Sequence, residues 1–343
     1  MFICGFKLSV DIVQLLTLCQ LPIIFCFLFY SVVKNLKSPI YAIVGPTASG
    51  KSDLGIALAL RIGGEIINCD SVQIYKEIEV ATAKVSSEEM RGVPHHLINY
   101  VSPEIKYTAA DWAQDAARKI NEVEARKKIP ILVGGTGFYL RALREPLFET
   151  PKTDERLRAK IRQIRDKKGA EHLYKILQKI DEASAEKLFP RDYVRVSRAL
   201  EVYFQTGKLI SQIQPNRAAP PEFAKRIKIF ALNPPREMVY EKINRRTEIH
   251  FQNGLVEEVK RLREKGLGDD TNALGAHGYR RVCEFLRGER TLESAIEQTK
   301  QDVRNYAKRQ MSWFRRETGV IWLEGFGNEA QTQESFWKML DSE

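Results

Sequence analysis

The fold of this chain is decided by the stretch Ile40-Tyr41-Ala42-Ile43-Val44-Gly45-Pro46-Thr47-Ala48-Ser49-Gly50-Lys51-Ser52. Its first five residues are apolar and rich in β-branched side chains, which predicts a short strand buried on both faces. Residues 53–61 follow with the apolar spacing of a helix. Between the strand and the helix lies the pattern G-x-x-x-x-G-K-[ST] of a P-loop, in the strand–loop–helix context that this motif requires.

The P-loop predicts a binding site for a phosphate or a diphosphate. Its glycines let backbone N–H groups curl around phosphate oxygens, the start of the helix adds partial positive charge, and Lys51 adds a full charge. Ser52 places a hydroxyl where a phosphate-bound Mg²⁺ takes an oxygen ligand, so Mg²⁺ is the predicted cofactor and Ser52 its ligand. The predicted diphosphate-binding residues are Gly45, Thr47, Ala48, Ser49, Gly50, Lys51 and Ser52.

Two more buried strands are predicted to end beside the P-loop. The run Glu65–Ser71 carries an acid, Asp70, at its end, and Pro130–Val133 leads into Gly134-Gly135-Thr136. The carboxyl ends of parallel strands line the ligand crevice of an open α/β sheet, so Asp70 is expected to face the bound phosphate. The alternative interpretation is an aspartate that caps a turn or a helix. A P-loop enzyme that hydrolyses nucleoside triphosphates usually has an aspartate for Mg²⁺ at the end of such a strand. A Gly-Gly-Thr turn in that place predicts a different chemistry.

The order of the predicted elements divides the chain into five parts, of which the first is an extension over residues 1–38. Strands alternate with helices over residues 39–147, whereas residues 148–214 have only helical patterns. The predicted fold class is therefore α/β, a P-loop NTPase-like parallel sheet flanked by helices, with an inserted all-helical domain. Residues 215–330 are expected to complete the core with basic C-terminal helices, and residues 331–343 to form a tail.

The extension differs in character from the rest of the chain. Ile12–Val33 is strongly apolar, and its length approaches that of a membrane-spanning helix. A membrane anchor, a signal-like segment and upstream sequence translated from a misassigned start are three interpretations. We favour the misassigned start, so a membrane is not an expected partner. The five cysteines form no C-x-x-C pair and fit a reducing compartment, so the predicted location is the cytoplasm.

The charge of the chain favours a polyanionic partner. Lys and Arg number 54 against 44 Asp and Glu, a formal net charge of +10. Residues 151–210 hold 15 Lys and Arg against 9 Asp and Glu, which is over half of this excess. Arg191, Arg195 and Arg198 are helical neighbours there, in a pattern that fits either an RNA-binding face or a solvated helix face. Three more cations recur near one face of a predicted helix over residues 294–316: Arg304, Lys308 and Arg315.

Eight motifs follow one another between residues 39 and 325. They are Gly45–Ser52, Asp70–Tyr75, Thr82–Lys84, Pro94–Leu97, Thr108–Trp112, Val133–Tyr139, Ser197–Val202 and Lys308–Phe314. In content and order they resemble the tRNA dimethylallyltransferase (tRNA isopentenyltransferase) family. The P-loop alone occurs in many proteins, whereas the whole set is specific. His277 departs from the aliphatic residue of the family pattern.

The resemblance implies transfer of a dimethylallyl group from dimethylallyl diphosphate to N6 of the adenosine 3′-adjacent to the anticodon in tRNA, with release of diphosphate. Asp70 matches the family's base, Thr136 the residue that hydrogen-bonds the bridging oxygen, and Arg246 the arginine that meets the diphosphate. The tRNA-binding residues expected from this resemblance and from the charge pattern are Asp70, Ser71, Val72, Gln73, Arg195, Arg198, Gly278, Tyr279 and Arg280. The expected partners are the tRNA anticodon stem-loop and dimethylallyl diphosphate, and the chain is expected to be a monomer.

Two other functions remain open at this point. A small-molecule kinase also combines a P-loop sheet with a basic helical lid, but the missing strand-end acid and the tRNA-sized positive insert argue against it. A non-enzymatic RNA-binding protein that uses a nucleotide as a structural ligand would leave the positions of Asp70 and Thr136 unexplained.

Overall fold

A six-stranded parallel sheet forms the centre of the computed structural model, which describes residues 38–342. The strands are β1 (Ile40–Val44), β2 (Gly64–Asn68), β3 (His95–His96), β4 (Ile129–Val133), β5 (Ile227–Asn233) and β6 (Val320–Glu324). Their order is β3-β2-β4-β1-β5-β6, and every neighbouring pair is parallel. The predicted parallel sheet is confirmed, and the strand before the P-loop lies inside it between β4 and β5.

Side chains of β1 alternate between two hydrophobic cores, one on each face of the sheet. Ile40, Ala42 and Val44 belong to the larger core, and Ile43 belongs to the smaller one. All four are buried. A strand covered on both faces needs apolar side chains at consecutive positions, which is why the sequence of β1 is continuously apolar.

Helices cover both faces of the sheet. The smaller core includes Leu54 and Leu58 of α1 (Lys51–Ile62), the helix that follows the P-loop. The larger core includes Trp112 of α2 (Ala109–Ala125), whose indole Nε1 donates a hydrogen bond to Asn68 O at 2.9 Å. That bond ties α2 to the last residue of β2, directly before the predicted site.

The described chain between β4 and β5 is helical. Its helices are α3 (Gly137–Arg144), α4 (Glu155–Lys168), α5 (Ala170–Ile180), α6 (Glu182–Ala185), α7 (Tyr193–Thr206), α8 (Ile210–Ile213) and a short 3-10 helix, Glu222–Arg226. Helices α4 to α8 have a hydrophobic core of their own, which includes Ile161, Leu173, Leu177, Val196 and Leu200. We call this group the helical insert. Its exact boundaries at residues 148 and 214 stay a prediction.

Four helices separate β5 from β6 and approach the carboxyl edge of the sheet. They are α9 (Arg236–Gln252), α10 (Leu255–Glu264), α11 (Tyr279–Leu286) and α12 (Leu292–Phe314). Helices α9 and α12 pack against each other. They share a small core in which Val239 and Ile243 of α9 meet Ala307 of α12.

The last residues differ from the tail that we expected for residues 331–343. They belong largely to a helix, α13 (Ala330–Asp341), whose Phe336 is buried in the smaller core. The ring of Phe336 meets the ring of Phe230 edge-on, with centroids 4.8 Å apart. This helix completes the cover of one face of the sheet. Because it packs against the core, it is not a peripheral tail.

Our expectations for residues 1–38 fall outside the described residues, apart from Ser38. Among the residues that the structure does describe, no helix combines the length and the apolar character needed to cross a bilayer.

Candidate active site

The P-loop connects β1 to α1 through a backbone that requires glycine. Gly50 has φ 81°, in the left-handed region, and α1 begins at the next residue, Lys51. A Cβ at position 50 would lie 2.9 Å from the backbone nitrogens of Gly327 and Asn328. Gly50 is therefore needed for both conformation and space. It leaves the first N–H groups of α1 at the end of the loop, where an anion binds.

Two polar side chains of the P-loop suit an anionic ligand. Lys51 Nζ donates a hydrogen bond to Pro46 O at 2.6 Å. Burial lowers the pKa of Lys51 to about 8, while the nearby Asp70 charge acts to raise it and Arg246 lowers it further. Ser49 Oγ is buried and has no hydrogen-bond partner within residues 38–342. A desolvated cation and an unsatisfied hydroxyl would both be stabilised by phosphate oxygens.

Asp70 lies just beyond the end of β2, at the carboxyl edge of the sheet. Its Oδ1 accepts hydrogen bonds from the backbone N–H of Val72 at 2.8 Å and of Gln73 at 3.2 Å. Among the described residues, these two N–H groups are the hydrogen-bond donors to the carboxylate, and Oδ1 accepts both bonds. The turn thus fixes the carboxyl group while Oδ2 keeps its capacity to accept a proton.

Thr136 lies between β4 and α3, beside the Asp70 turn. Its Oγ1 accepts a hydrogen bond from Ser71 N at 3.1 Å, and its own N–H donates to Cys69 O at 3.2 Å. A Cβ at Gly134 would lie 2.1 Å from Cys69 O. The glycine that replaces a strand-end acid therefore lets the loops after β2 and β4 approach each other closely.

Arg246 projects from α9 onto the P-loop. Its Nη2 donates a hydrogen bond to Thr47 Oγ1 at 2.6 Å. Burial lowers the pKa of Arg246, and the charge of Asp70 acts against that shift. Two cavities, of about 350 and 370 Å³, are both lined by Thr47, Asp70 and Arg246. The structure therefore brings Asp70, Arg246 and the P-loop together. Thr136 is linked to this group by its hydrogen bond with Ser71, the residue after Asp70.

The 350 Å³ cavity contains residues that were predicted to bind the diphosphate. It is lined by residues 48–52 of the P-loop, by Gly134 and by Lys242 of α9. Among the described residues, no group of three or more His, Cys, Asp and Glu side chains is arranged to hold a metal ion. A cation here would consequently depend on ligand phosphates together with hydroxyl groups such as that of Ser52.

The 370 Å³ cavity has an aromatic lining that sequence reasoning missed. Its rings are Tyr75, Tyr107, Tyr139, Phe251 and Tyr306. Burial lowers the pKa of His250 to about 4, with Arg246 as a second cause, and burial also lowers the pKa of His277. Both imidazoles are therefore neutral near pH 7. Such a lining suits an apolar or aromatic ligand, and no local motif reveals it because its residues come from distant parts of the chain.

Gln310 of α12 is a second residue that sequence reasoning left without a role. It is buried, its Oε1 accepts a hydrogen bond from Thr47 N at 2.8 Å, and its Nε2 donates to Gly135 O at 2.9 Å. A Cβ at Gly135 would lie 2.0 Å from that Nε2. One side-chain amide thus joins the loop after β1 to the loop after β4. In the sequence, the signal for this role was the position of Gln310, a polar residue on the helix face that carries the apolar residues Ala307 and Phe314.

The turn before α11 was predicted to bind tRNA through Gly278, Tyr279 and Arg280. Gly278 has φ 89° and Arg280 is exposed, although it forms an ion pair with Glu284 at 3.2 Å. Tyr279 is fully buried, and its hydroxyl donates to Glu258 Oε1 at 2.6 Å. Its ring has no exposed surface for RNA in this structure. The assignment of Gly278, Tyr279 and Arg280 to tRNA binding therefore stays a prediction, in which Tyr279 is the buried member.

Arg195 and Arg198 lie on α7 of the helical insert, apart from the residues that line the two cavities. Arg195 is 66% exposed and forms an ion pair with Asp192. Arg198 is 28% exposed and bonds Thr150 Oγ1 at 2.6 Å and Pro151 O at 2.9 Å. The two arginines are therefore not equivalent, because only Arg195 has most of its surface free.

A phosphate-binding loop at the carboxyl edge of a parallel sheet, with a glycine turn in place of a strand-end acid, defines a P-loop protein suited to diphosphate chemistry. The family model described as IPP transferase matches residues 73–317. The tRNA dimethylallyltransferase of Koribacter versatilis is 43% identical over 291 residues, 85% of this chain and 94% of that protein. The one from Geobacter metallireducens is 42% identical over 288 residues, 84% and 93% of the two chains. This chain belongs to the IPP transferase family.

Solved structures agree with this assignment. The tRNA isopentenylpyrophosphate transferase from Bacillus halodurans has a TM-score of 0.66 and 34% identity, covering 89% of this chain and 96% of its own. A eukaryotic dimethylallyltransferase, solved in the course of its action on tRNA, has a TM-score of 0.69 and 30% identity, covering 89% and 77%.

Proposed function

We propose that this protein transfers a dimethylallyl group from dimethylallyl diphosphate to N6 of the adenosine 3′-adjacent to the anticodon in tRNA. The observation that carries the proposal is the meeting of Asp70, Arg246 and the P-loop along two adjoining cavities. One cavity has the groups that a diphosphate needs, and the other has an aromatic lining that suits a base and an apolar prenyl chain. The relatives named above are tRNA dimethylallyltransferases by name.

The reaction exchanges one bond for another. A bond forms between adenine N6 and C1 of the dimethylallyl group, the allylic C–O bond breaks, and its electron pair leaves with the diphosphate. The N6 proton goes to a base. Since the N6 lone pair is delocalised into the ring, the nucleophile is weak, and a base in contact with it contributes roughly 10²–10⁴ in rate.

Asp70 is proposed as that base. Its Oδ1 is held by the N–H groups of Val72 and Gln73, which fixes the direction of the carboxylate while Oδ2 stays able to accept the proton. The adjacent Ser71 would contact the same nucleoside, so the four residues Asp70 to Gln73 are proposed to bind tRNA together. The target base must leave its stack to reach this pocket, as in other enzymes that modify bases.

The leaving diphosphate is proposed to be stabilised by Lys51 and Arg246, with Thr136 donating to the bridging oxygen. Lys51 and Arg246 lose hydration through burial, and their charges act most strongly where water is excluded. Because Thr47 accepts a hydrogen bond from Arg246, the P-loop orients this guanidinium before the substrate enters. Charge that develops on the diphosphate thus meets preorganised cations.

The residues present fit Mg²⁺ bound through the substrate. Ser49 Oγ is a buried hydroxyl without a partner among the described residues, and Ser52, in the first turn of α1, lines the same cavity. Hydroxyl and phosphate oxygens are the hard donors that Mg²⁺ prefers, and Ser52 is the proposed protein ligand. The metal would supply further neutralisation of the diphosphate.

Action as a monomer and a location in the cytoplasm stay proposals for this protein. Its proposed substrate is tRNA, which supports a location in the cytoplasm. The kinase alternative is weaker, because the turn Gly134-Gly135-Thr136 follows β4 where a kinase of this class would carry a metal-binding carboxylate.

Mass spectrometry of nucleosides tests the proposal. Unmodified tRNA is incubated with the protein, dimethylallyl diphosphate and Mg²⁺, digested to nucleosides and analysed beside a reaction that contains ATP as the only donor. We expect adenosine to gain the mass of one dimethylallyl group at the position 3′ of the anticodon. Transfer of phosphate from ATP to a small acceptor, without prenylated adenosine, would establish the kinase instead.

A further inference from the structure

Helix α10 carries an acid on its buried face. Leu255, Val259 and Leu262 follow the spacing of an apolar helical stripe, and all three are buried in the larger core. Glu258 is only 3% exposed. Among the residues that the structure describes, its ion-pair partner is Arg261, at 4.0 Å. A carboxylate buried with so distant a cation has to be stabilised by hydrogen-bond donors.

Three donors meet the carboxylate of Glu258. Its Oε1 accepts a hydrogen bond from Glu79 N at 3.1 Å and from the Tyr279 hydroxyl at 2.6 Å, and its Oε2 accepts one from Val80 N at 3.2 Å. The Tyr279 hydroxyl in turn accepts a hydrogen bond from Ala81 N at 3.2 Å. One acid therefore fixes three consecutive backbone N–H groups, two of them directly and the third through Tyr279.

These N–H groups belong to a segment, residues 79–83, that borders both cavities of the active site. Ala81 lines the 370 Å³ cavity, Ala83 lines the 350 Å³ cavity, and Thr82 lines both. The residues of this segment belong to neither a strand nor a helix. Ala83 also has φ 50°, in the left-handed region that is uncommon for a residue with a side chain. The conformation of the segment is therefore imposed by its contacts.

The same segment is bonded to the turn that carries Asp70. The side-chain Nε2 of Gln73 donates to Thr82 O at 3.0 Å and to Ala83 O at 3.1 Å. The backbone N–H of Gln73 donates to Asp70 Oδ1 at 3.2 Å. Hydrogen bonds and the 79–83 backbone thus connect Glu258 on α10 to the carboxylate that is proposed as the base.

We propose that Glu258 is a positioning residue for the transfer reaction. Through the 79–83 segment and Gln73, it holds the Asp70 carboxylate where the two cavities adjoin. The inference rests on the proposed function, because it concerns Asp70 as the base of that reaction. Glu258 lines neither cavity, so it acts through its partners and not on the substrate. A base is effective only within hydrogen-bond reach of the proton, and small displacements of it are therefore costly.

The variant Glu258→Gln tests the proposal. The amide keeps the size of the carboxylate but replaces one acceptor oxygen by an NH₂ donor. If the oxygen stays with Glu79 N and the Tyr279 hydroxyl, the NH₂ group opposes the N–H of Val80. Rapid-quench assays at saturating substrates should show kcat lowered by about 10- to 100-fold. The affinity for labelled tRNA, measured by fluorescence anisotropy, should stay within about threefold, because the change affects the chemical step.

The Asp70→Asn background separates positioning of the base from general stability. Once the base is absent, a residue that acts through it has nothing left to position. Adding Glu258→Gln to Asp70→Asn should therefore lower kcat by less than about twofold, although it should still lower the melting temperature. All rates are measured well below the melting temperatures of the variants.

Asp181 of the helical insert offers a matched control. It is also 3% exposed, and its carboxylate likewise accepts two backbone N–H groups and one hydroxyl. The donors are Ser184 N at 3.1 Å, Ser211 N at 3.0 Å and Ser184 Oγ at 2.7 Å. Asp181→Asn should lower the melting temperature and leave kcat within about twofold of the wild type, because these bonds hold the insert together far from the base.

Three results would overturn the proposal. One is wild-type kcat in Glu258→Gln, and another is an equal fall in kcat for Asp181→Asn. The third is an undiminished effect of Glu258→Gln in the Asp70→Asn background, which would mean that Glu258 does not act through the base. If Glu258→Gln does not fold, Gln73→Ala breaks the same connection at its other end and is judged by the same criteria. Prenylation of tRNA by the wild type is measured in parallel, and its absence would reject the proposed function itself.

Discussion

The cations of the active site and the cations of the helical insert differ in what they are bonded to. Lys51 bonds a backbone carbonyl and Arg246 bonds a hydroxyl, both neutral groups. In the insert, Arg158 and Arg198 both reach Glu201, a carboxylate that is only 2% exposed. Lys51 and Arg246 therefore keep their charge for a ligand, whereas the charge of Arg158 and Arg198 is largely neutralised by a carboxylate inside the protein.

The comparison shows that the number of charged residues in a region does not tell how much of that charge is available to a ligand. The net charge of the insert predicts an RNA-binding surface, yet Arg158 joins α4 to α7 through Glu201, and Arg198 pairs with the same carboxylate. The active site carries few cations, but they are desolvated and aimed at one place, where a given charge acts more strongly. Substitutions in the active site should therefore change catalysis, and matched substitutions in the insert should change folding or tRNA affinity.

The largest expected effect is that of Asp70→Asn. The amide keeps an oxygen that can accept the N–H groups of Val72 and Gln73, so the turn should persist while the base is lost. We expect kcat to fall by roughly 10²–10⁴ with tRNA affinity within a few-fold. Rapid-quench assays at saturating substrates measure the fall.

Asp192→Asn in the insert is the matched control. Asp192 also accepts a backbone N–H, that of Arg195, within a turn before a helix. Its replacement should leave kcat unchanged. If Asp70→Asn keeps more than about a tenth of wild-type kcat, Asp70 is not the base and the contrast between the two regions is lost.

A second test enlarges Gly135. The new Cβ of Gly135→Ala would lie 2.0 Å from Gln310 Nε2, so the Gln310 amide must move and weaken its link between the loops that carry Thr47 and Thr136. A misplacement of this order costs about 10² in kcat. Adding Gln310→Ser makes room for the methyl group and should raise kcat about tenfold above that of Gly135→Ala alone. Such a non-additive effect is expected of two residues in contact.

The control for this test is Gly169→Ala at the junction of α4 and α5. Its Cβ would meet no atom within 4 Å, although φ 86° strains any side chain there. It should lower the melting temperature and leave kcat intact. If Gly135→Ala behaves the same way, Gln310 only fills space and does not set the distance between the two loops.

The sequence predicted those parts of the site that short motifs encode. The strand before the P-loop, the acid after β2 and the glycine turn after β4 each depend on residues close in the chain, so local pattern was sufficient. Gln310, Tyr306 and His277 contribute through packing between distant parts of the chain, and local spacing does not reveal their partners. Two features that the sequence pattern did not show follow the same rule. Tyr279 is buried and the segment around Phe336 is a core helix because of tertiary contacts that the sequence pattern did not display.

A smaller effect is expected from pH. The pKa of Lys51 is lowered to about 8 by burial, so its charge is present below pH 8 and is lost as pH rises through that value. Affinity for dimethylallyl diphosphate, measured without tRNA, should therefore fall about tenfold between pH 7.5 and pH 9. Lys51→Arg, which stays charged, should remove the dependence whatever its absolute affinity. A flat profile in the wild type would mean that Lys51 is not the cation that binds the diphosphate.

The smallest effects separate Arg195 from Arg198 in the insert. Arg195 is mostly exposed, so Arg195→Gln should weaken tRNA binding a few-fold, reduce the salt slope by about 0.7 to 0.9, and leave stability unchanged. Arg198→Gln removes bonds to Thr150, Pro151 and Glu201 and should cost about 1–3 kcal/mol of unfolding free energy with no change in slope. Thermal unfolding and salt titrations of tRNA binding on both variants decide between them. A reduced slope with an unchanged melting temperature for Arg198→Gln would mean that its internal partners release it to RNA. The division between cations that bind a ligand and cations that hold the insert together would then fail at this helix.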